Sequence, residues 1–314
     1  MSVLAWVMAV SRLLEDVLSA EPVVVGREAS IAAHVRAGLD ARLRALRAHE
    51  AGTRVGEDPE ELHQMRVSVR RMRAMLRSAR PFLDRDESER LRAELGWLGR
   101  ALGPVRDLDV LLERLRSEFT GLPGTERGAA EQLVSGLDPE YLRARADMLS
   151  ALDSDRYQEL LELLARATRE LPGRGSDVDA ASQLRRLVRS QFGKLRKAVE
   201  RLPPEPADAE LHALRIDGKA VRYTAELAEP LLGAPVKRLI KATKGFQDVL
   251  GEHQDACVAE ERIRALLDGF GPRPDAGIAF AAGRLVEREE VRKADRRARW
   301  PESWYALGAA AAEV

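Results

Sequence analysis

The sequence contains a single cysteine, few aromatic residues and no excess of charge of either sign. Cys257 alone can form neither an intrachain disulfide nor a cysteine-based zinc cluster, and its isolation favours a reducing compartment. Aromatic residues make up 4% of the chain, which argues against a β-rich fold and against single-stranded nucleic acid, whose bases usually stack on aromatic side chains. Because the formal net charge is zero, the chain as a whole does not steer nucleic acid or membranes toward itself.

The sequence also lacks a convincing membrane-spanning run. Its first ten residues are apolar, but no basic segment precedes them and Arg12, Glu15 and Asp16 follow soon after. We therefore expect neither a signal peptide nor a membrane span. Residues 1–20 are interpreted as a short amphipathic helix within an N-terminal extension, residues 1–27. Together these features predict a cytoplasmic protein.

What the chain does contain is typical of helices. Hydrophobic residues make up 45% and charged residues 32%, and leucine, alanine, arginine and glutamate recur throughout, which predicts an all-α fold. Proline and glycine breaks separate the helical stretches, and the strongest, LPGRGSDVD at 171–179, divides the chain. We predict two duplicated, pseudo-symmetric bundles of about four helices each, residues 28–170 and 171–314.

One pattern occurs in both halves. Residues 62–83 read LHQMRVSVRRMRAMLRSARPFL and residues 211–232 read LHALRIDGKAVRYTAELAEPLL. Each contains a histidine followed by basic residues at offsets of three, seven and ten, which fall on one face of a helix. We call these the first row (His63, Arg66, Arg70 and Arg73) and the second row (His212, Arg215, Lys219 and Arg222).

A second pair of segments follows in the same order. LGPVRDLDVLLERL at 102–115 matches LGEHQDACVAEERI at 250–263, including the leucine, the glycine and the first aspartate. Two matches in register support a duplication. We expect Asp107 and Asp255 to accept hydrogen bonds from arginines or helix ends, rather than to act as catalytic acids.

The helices that carry the rows have predicted ends. Asp58 before Pro59 is a good N-cap, Asp208 is predicted to play the same part in the second half, and Pro81 and Pro230 are predicted to end the two helices.

On a helical wheel each row lies beside the apolar stripe, which predicts an inter-helix groove for the row. Arg71 falls outside the first row and is predicted to be solvated. Gly218 lies on the apolar side of its helix, where it would allow another helix to approach closely.

The first row is unfavourable by itself. Like-charged neighbours at helical spacing cost about 0.2–0.5 kcal/mol each, so carboxylates or a bound anion must offset them. A bound anion is favoured, because the same histidine and three cations occur in both halves. The histidines are expected to donate to phosphate oxygens and not to bind a metal, since neither belongs to a His-x-x-x-His or Cys/His cluster. We expect secondary contacts from Arg77, Arg42, Lys194, Lys241, Lys244, His253 and Arg106.

The paired L-H-x-[ML]-R-[VI] helices and the LGxxRDxDV element with its degenerate copy LGEHQDxxV resemble the CHAD domain, the conserved histidine α-helical domain. The resemblance covers residues 28–305. It implies two pseudo-symmetric bundles around a central basic pore or groove lined by both rows. It also implies binding of long-chain inorganic polyphosphate without catalysis or a cofactor. Sulfate or phosphate ions are expected to mimic the ligand in crystals, and association with polyphosphate granules is an expected context.

Two departures stand against this resemblance. Cys257 replaces the second aspartate of the element, which is Asp109 in the first copy. Glu226 and Glu229 occupy the positions of the second helix that correspond to Arg77 and Arg80 in the first, so the second row of cations stops earlier. The E-x-E-x-K strand of the triphosphate tunnel metalloenzymes that often accompany CHAD domains does not occur in the sequence.

Two alternatives stay open. The first is a helical metal-dependent phosphohydrolase that acts on polyphosphate or a phosphoester, which would need carboxylates converging on the histidines. The second is a helical scaffold or DNA-binding protein, which should show an outward basic surface and net positive charge. No specific nucleic-acid partner is expected.

Overall fold

The computed structural model of the protein describes residues 14–26, 29–119, 122–174 and 179–314. These residues are mostly helical, and the β-type pairing among them is an isolated bridge between Leu83 and Gly173. The prediction of an all-α protein is confirmed. The helices are α1 (Ile31–Ala48), α2 (Glu50–Val55), α3 (Pro59–Ser78), α4 (Arg85–Phe119), α5 (Gly124–Val134), α6 (Asp138–Leu152), α7 (Asp155–Glu170), α8 (Ala180–Glu200), α9 (Asp208–Leu232), α10 (Ala234–Asp268) and α11 (Ala276–Ala311).

The ends of α3 follow the sequence signals. The Asp58 side chain accepts a hydrogen bond from the Glu60 amide at 2.8 Å, and Pro59 opens the helix. A carboxylate in this position satisfies an amide that has no partner within the helix. After Ser78 the chain tightens into a 3₁₀ turn, Arg80–Phe82, which contains Pro81. The predicted start and stop of this helix are confirmed.

The ends of α9 differ from the prediction. Asp208 is the first residue of the helix rather than its cap, and the Glu210 carboxylate instead accepts from the Ala207 amide at 2.7 Å. Pro230 does not end the helix either. The chain continues to Leu232 and ends at Gly233, whose φ of 69° is left-handed and suits glycine. A proline so close to the end removes one hydrogen bond without stopping the last turn.

The N-terminal prediction is covered only in part. Of the helix predicted over residues 1–20, positions 14–19 are helical and positions 1–13 lie outside the described residues. Residues 21–26 follow in an irregular conformation, and the amide of Val23 donates to Oδ2 of Asp40 at 3.1 Å.

The chain forms two compact units. The first contains the described residues up to Arg106, with Arg145–Val188 and Tyr223–Ala234; the second contains Asp107–Ala144, Arg189–Arg222 and Pro235–Val314. Each unit therefore takes segments from both halves of the sequence. The division into two sequence repeats at residue 171 stays a prediction.

The first unit is built on α1, which packs against α3 and α7. Its core side chains repeat at helical spacing and are fully buried, because an apolar stripe on each helix faces its neighbours. Fully buried members of this core include Leu39, Leu43, Leu46, Met65, Met72, Leu76, Leu161 and Leu164. This core fixes one face of α3 and leaves its flank for other contacts.

The second unit has its own core, in which α5 packs against α11. Side chains from the second half of α4, from α10 and from α11 complete it, including Leu115, Ile263 and Ala281. Charged residues close the edge of this core: Glu289, which is 1% exposed, accepts from Arg114 and Arg292.

Candidate functional site

The first row lies along one flank of α3. Leu62, Met65 and Val69 are buried on the core face, and the row stands beside them, as the helical wheel predicts. His63 and Arg66 are half-buried, whereas Arg70 and Arg73 are exposed. The row therefore runs from a partly enclosed end at His63 to an open end at Arg73.

Glycines of α4 make room for this row. A methyl group added at Gly103 would lie 2.9 Å from Nη1 of Arg66. Methyl groups at Gly96 and Gly99 would lie 3.4 Å and 4.0 Å from the guanidinium nitrogens of Arg73. The arginine side chains of α3 thus extend over the glycines of α4. This explains the glycine of the LG element, which the sequence marks as repeated without giving a reason.

His63 lies among cations. Burial lowers its pKa most and Arg106 lowers it further. Glu60 acts in the opposite direction, and Arg70 and Arg66 add smaller lowering effects. The imidazole is therefore neutral at neutral pH. Arg106 lies near His63 in the first row, and its predicted secondary contact with polyphosphate stays a prediction.

Arg73 has a similar environment. Although Arg73 is largely exposed, its partial desolvation lowers its pKa, and the charges that act on it are those of Arg92, Arg100 and Arg77. Arg77 is a neighbour of the row, as predicted. Arg92 and Arg100 were missed by the sequence reasoning, because they lie on α4 and outside the repeated motif. Their only signal in the sequence is that they precede the LG element on the same helix.

The second row lies on α9 in the second unit. A methyl group at Gly251 would lie 3.6 Å from Nε of Arg215, an arrangement that corresponds to Arg66 and Gly103. Nη1 of Arg222 donates to Oε1 of Gln247 at 2.8 Å. Nδ1 of the half-buried His212 has no hydrogen-bond partner within the described residues. The row is thus partly held by α10.

Two further features of the second row agree with the sequence. A methyl group at Gly218 would lie 3.1 Å from the ring of Phe246, so this glycine permits the close approach of α9 and α10 that was predicted. Burial raises the pKa of Asp255, whereas the charges of Arg215 and Arg114 act in the opposite direction. Asp255 therefore lies near Arg215, as expected of a residue that helps to hold it.

The other predicted secondary residues do not form one group. Lys194, Lys241 and Lys244 are exposed in the second unit. Arg42 lines a cavity of the first unit together with Arg71. The expectation that Arg71 is simply solvated is wrong, since it is half-buried and its Nε is enclosed.

His253 is 1% exposed and faces Asp208, with 3.2 Å between Nε2 and Oδ1. Its burial gives no support to a contact with a polymer.

Asp208, His253 and Cys257 bring three metal-type ligand atoms within 4.8 Å of one another. Arg297 and Lys293 already pair with this carboxylate, and burial raises the pKa of the Cys257 thiol to about 12. A thiol this basic is a poor nucleophile.

No helix within the described residues combines the length and the apolar character that crossing a membrane requires.

The CHAD domain family matches residues 37–264. Two curated relatives, both uncharacterized proteins of Mycobacterium tuberculosis (strains CDC 1551 / Oshkosh and ATCC 25618 / H37Rv), are 32% identical over 239 residues, which is 73% of this chain and 44% of each relative. The chain thus spans less than half of the length of these relatives.

Two solved structures have similar folds. PptA from Streptomyces chartreusis aligns with a TM-score of 0.70 and 26% identity, over 88% of this chain and 98% of that chain. The CHAD domain from the plant Ricinus communis aligns with a TM-score of 0.68 and 28% identity, over 92% of this chain and 96% of that chain.

Proposed function

Because the chain belongs to the CHAD domain family, we propose that it binds inorganic polyphosphate, a long linear polyanion, and does not hydrolyse it. The ligand contacts are assigned to the two rows, which supply repeated cations on rigid helices. The proposal includes a cytoplasmic location and association with polyphosphate granules. The central pore in which both rows would meet stays a prediction.

The observation that carries this proposal is the collection of arginines around the first row. The charges acting on Arg73 belong to three other arginines, and those acting on His63 belong to three arginines and one glutamate. Cations gathered in this way repel one another, and the repulsion is relieved when an anion binds. The cluster is therefore a local site for negative charge on a chain without net charge.

Many arginines elsewhere in the described residues pair with acids, and within the cluster Arg92 pairs with Glu89. In the second unit Arg114 and Arg292 pair with Glu289, and Arg288 pairs with Glu118. In the first unit Arg54 pairs with Glu50 and Asp153. Around Arg73 and His63, by contrast, the charges that act are mostly those of other arginines, which indicates a local surplus of positive charge at the first row.

The chemistry of the side chains suits phosphate. A guanidinium group presents several N–H donors in one plane and binds phosphate oxygens in pairs, whereas imidazole supplies one donor. A flexible polymer with one charge per unit needs repeated donors and no group that reads bases. The proposed contacts are His63, Arg66, Arg70, Arg73, His212, Arg215, Lys219 and Arg222, with Arg77 and Arg106 beside the first row and Lys194, Lys241 and Lys244 as outer contacts.

The alternative of a metal-dependent phosphohydrolase finds less support. The carboxylate of Asp208 is already held by two cations, which oppose a divalent metal ion there. The acid that acts most strongly on His63 is Glu60, on the same helix. A hydrolytic metal centre usually draws several ligands from the protein and keeps one position open for water.

Two measurements on one protein sample test the proposal. Calorimetric titration with long-chain polyphosphate should show saturable binding that weakens steeply with added salt. Incubation of the same sample with polyphosphate and Mg²⁺ or Mn²⁺ should release no orthophosphate. Sustained release by pure protein would favour the phosphohydrolase instead, and absence of binding at low salt would reject the proposal.

A further inference from the structure

The first unit contains a cavity whose character differs from that of the cationic rows. It lies among residues 23–25, α1, α3 and the end of α9, and its volume is about 430 Å³. This lies within the range of pockets that hold small organic molecules, roughly 300–1,000 Å³. None of the four residues of the first row lines it.

Two arginines lie at this cavity. Burial lowers the pKa of Arg42, and the charge of Arg71 lowers it further, against an opposing effect of Glu226. Nε of Arg71 is buried and makes no hydrogen bond within the described part of the chain. With Glu226 as the acid in the lining, the charged side chains of the cavity carry one surplus positive charge. A cavity lined by two arginines and one acid therefore suits a ligand with one negative charge.

The remaining walls are apolar. Val25 and Ala37 line the cavity, as do Met75 of α3, Leu227 and Pro230. Val23 and Val24 also line it and are 39% and 90% exposed, which places apolar side chains in contact with solvent. Apolar walls with a few polar groups that converge on one point are typical of pockets for organic ligands.

The wall formed by residues 23–25 is held in place. The Val23 amide donates to Oδ2 of Asp40, a carboxylate that also accepts from Nε of Arg44 at 3.0 Å. Nη1 of Arg44 donates to the carbonyl of Leu18 at 2.8 Å. Two side chains of α1 thus hold the preceding segment in place, so the cavity has a fixed wall.

We infer that this cavity binds a small amphiphilic carboxylate, with its head on Arg42 and Arg71 and its apolar body along Met75, Leu227 and residues 23–25. A single negative charge matches the single surplus positive charge. A polyphosphate chain would bring several charges beside Glu226 and would expose hydrated oxygens to apolar walls. This site is independent of the proposed polyphosphate function, and it assigns Arg42 to a different ligand from the one expected from the sequence.

Calorimetric titrations of the full chain with octanoate, 1-octanol and inorganic phosphate distinguish the contribution of the charged head to binding from that of the apolar body. Octanoate should bind, and octanol and phosphate should each bind at least about tenfold more weakly, because each lacks half of the interactions. Equal binding of octanol and octanoate would overturn the role of the arginines. Equal binding of phosphate would overturn the role of the apolar walls. Absence of octanoate binding would overturn the proposal as a whole.

Substitutions test whether octanoate binds in this cavity. Arg71→Met keeps the length of the side chain but removes its charge, and it should weaken octanoate binding by about tenfold. Arg71→Lys should retain most of it. Arg70→Met, the neighbouring position in the first row, is the matched control and should leave octanoate binding unchanged. If Arg71→Met folds poorly by circular dichroism, Ala37→Phe, which fills the cavity, replaces it. Unchanged octanoate affinity in a folded variant of either kind would overturn the proposal.

Discussion

Arg66 on α3 reaches over Gly103 on α4, where an added methyl group would lie 2.9 Å from its Nη1. Arg215 and Gly251 have the corresponding arrangement in the second unit, with 3.6 Å to Nε. The glycine of the LG element and the first arginine of each row are therefore parts of one local structure. A change at the glycine should act on the arginine.

The first prediction concerns these glycines. Gly103→Ala should displace the guanidinium group of Arg66 and weaken polyphosphate binding by about threefold to tenfold, because such a short contact requires one group to move. Gly251→Ala introduces only an ordinary contact and serves as the matched control, with little change expected. Titration with polyphosphate measures both. An equal effect of the two substitutions would contradict this account.

The second prediction concerns pH. Burial and nearby arginines lower the pKa of His63, so the free protein carries a neutral imidazole at neutral pH. A bound polyanion favours the charged form and raises this pKa, so binding takes up a proton. Affinity should therefore rise as the pH falls from about 7.5 to about 5.5.

The substitution His63→Gln separates this contribution from other effects of pH. Glutamine keeps hydrogen-bond donors but does not titrate, so the rise in affinity at lower pH should be smaller in this variant. Titrations at constant ionic strength measure the difference. Identical pH dependence in both proteins would show that His63 is not linked to binding.

The third prediction concerns salt. Arg70 is an exposed member of the first row, and removing its charge in Arg70→Gln should reduce the slope of log affinity against log salt by about one unit or less. Arg196, an exposed residue paired with Glu200 on α8, supplies the control variant Arg196→Gln. Affinities measured over a series of salt concentrations give both slopes. A slope unaffected by Arg70→Gln would exclude this residue from the binding site.

The sequence predicted the position of the first row correctly, because the apolar face Leu62, Met65 and Val69 fixes the orientation of α3 and the row follows from helical spacing. It did not predict Arg100 or the cavity at Arg71, since both depend on which helix packs against α3. Periodicity identifies the faces of one helix but does not identify its neighbours. The end of α9 was also missed, because Gly233 rather than Pro230 ends the helix.

The fourth prediction concerns stability. Glu289 is buried and accepts from Arg114 and Arg292. Glu289→Gln removes the carboxylate that these two cations share, although each keeps another acid nearby, and it should lower the free energy of unfolding by about 2–3 kcal/mol. Glu290→Gln is the matched control, because its pair with Arg264 is exposed and contributes about 1 kcal/mol or less. Urea denaturation measures both variants. Similar losses would contradict a structural role for Glu289.

The most direct test of the central claim is the affinity for long-chain polyphosphate of the double variant Arg70→Glu, Lys219→Glu, which reverses one charge in each row. The control Arg196→Glu, Arg264→Glu changes the net charge equally at exposed positions outside the rows. With helical circular dichroism unchanged, the row variant should bind at least about tenfold more weakly than the control. Equal affinity of the two variants would contradict the assignment of polyphosphate binding to the rows.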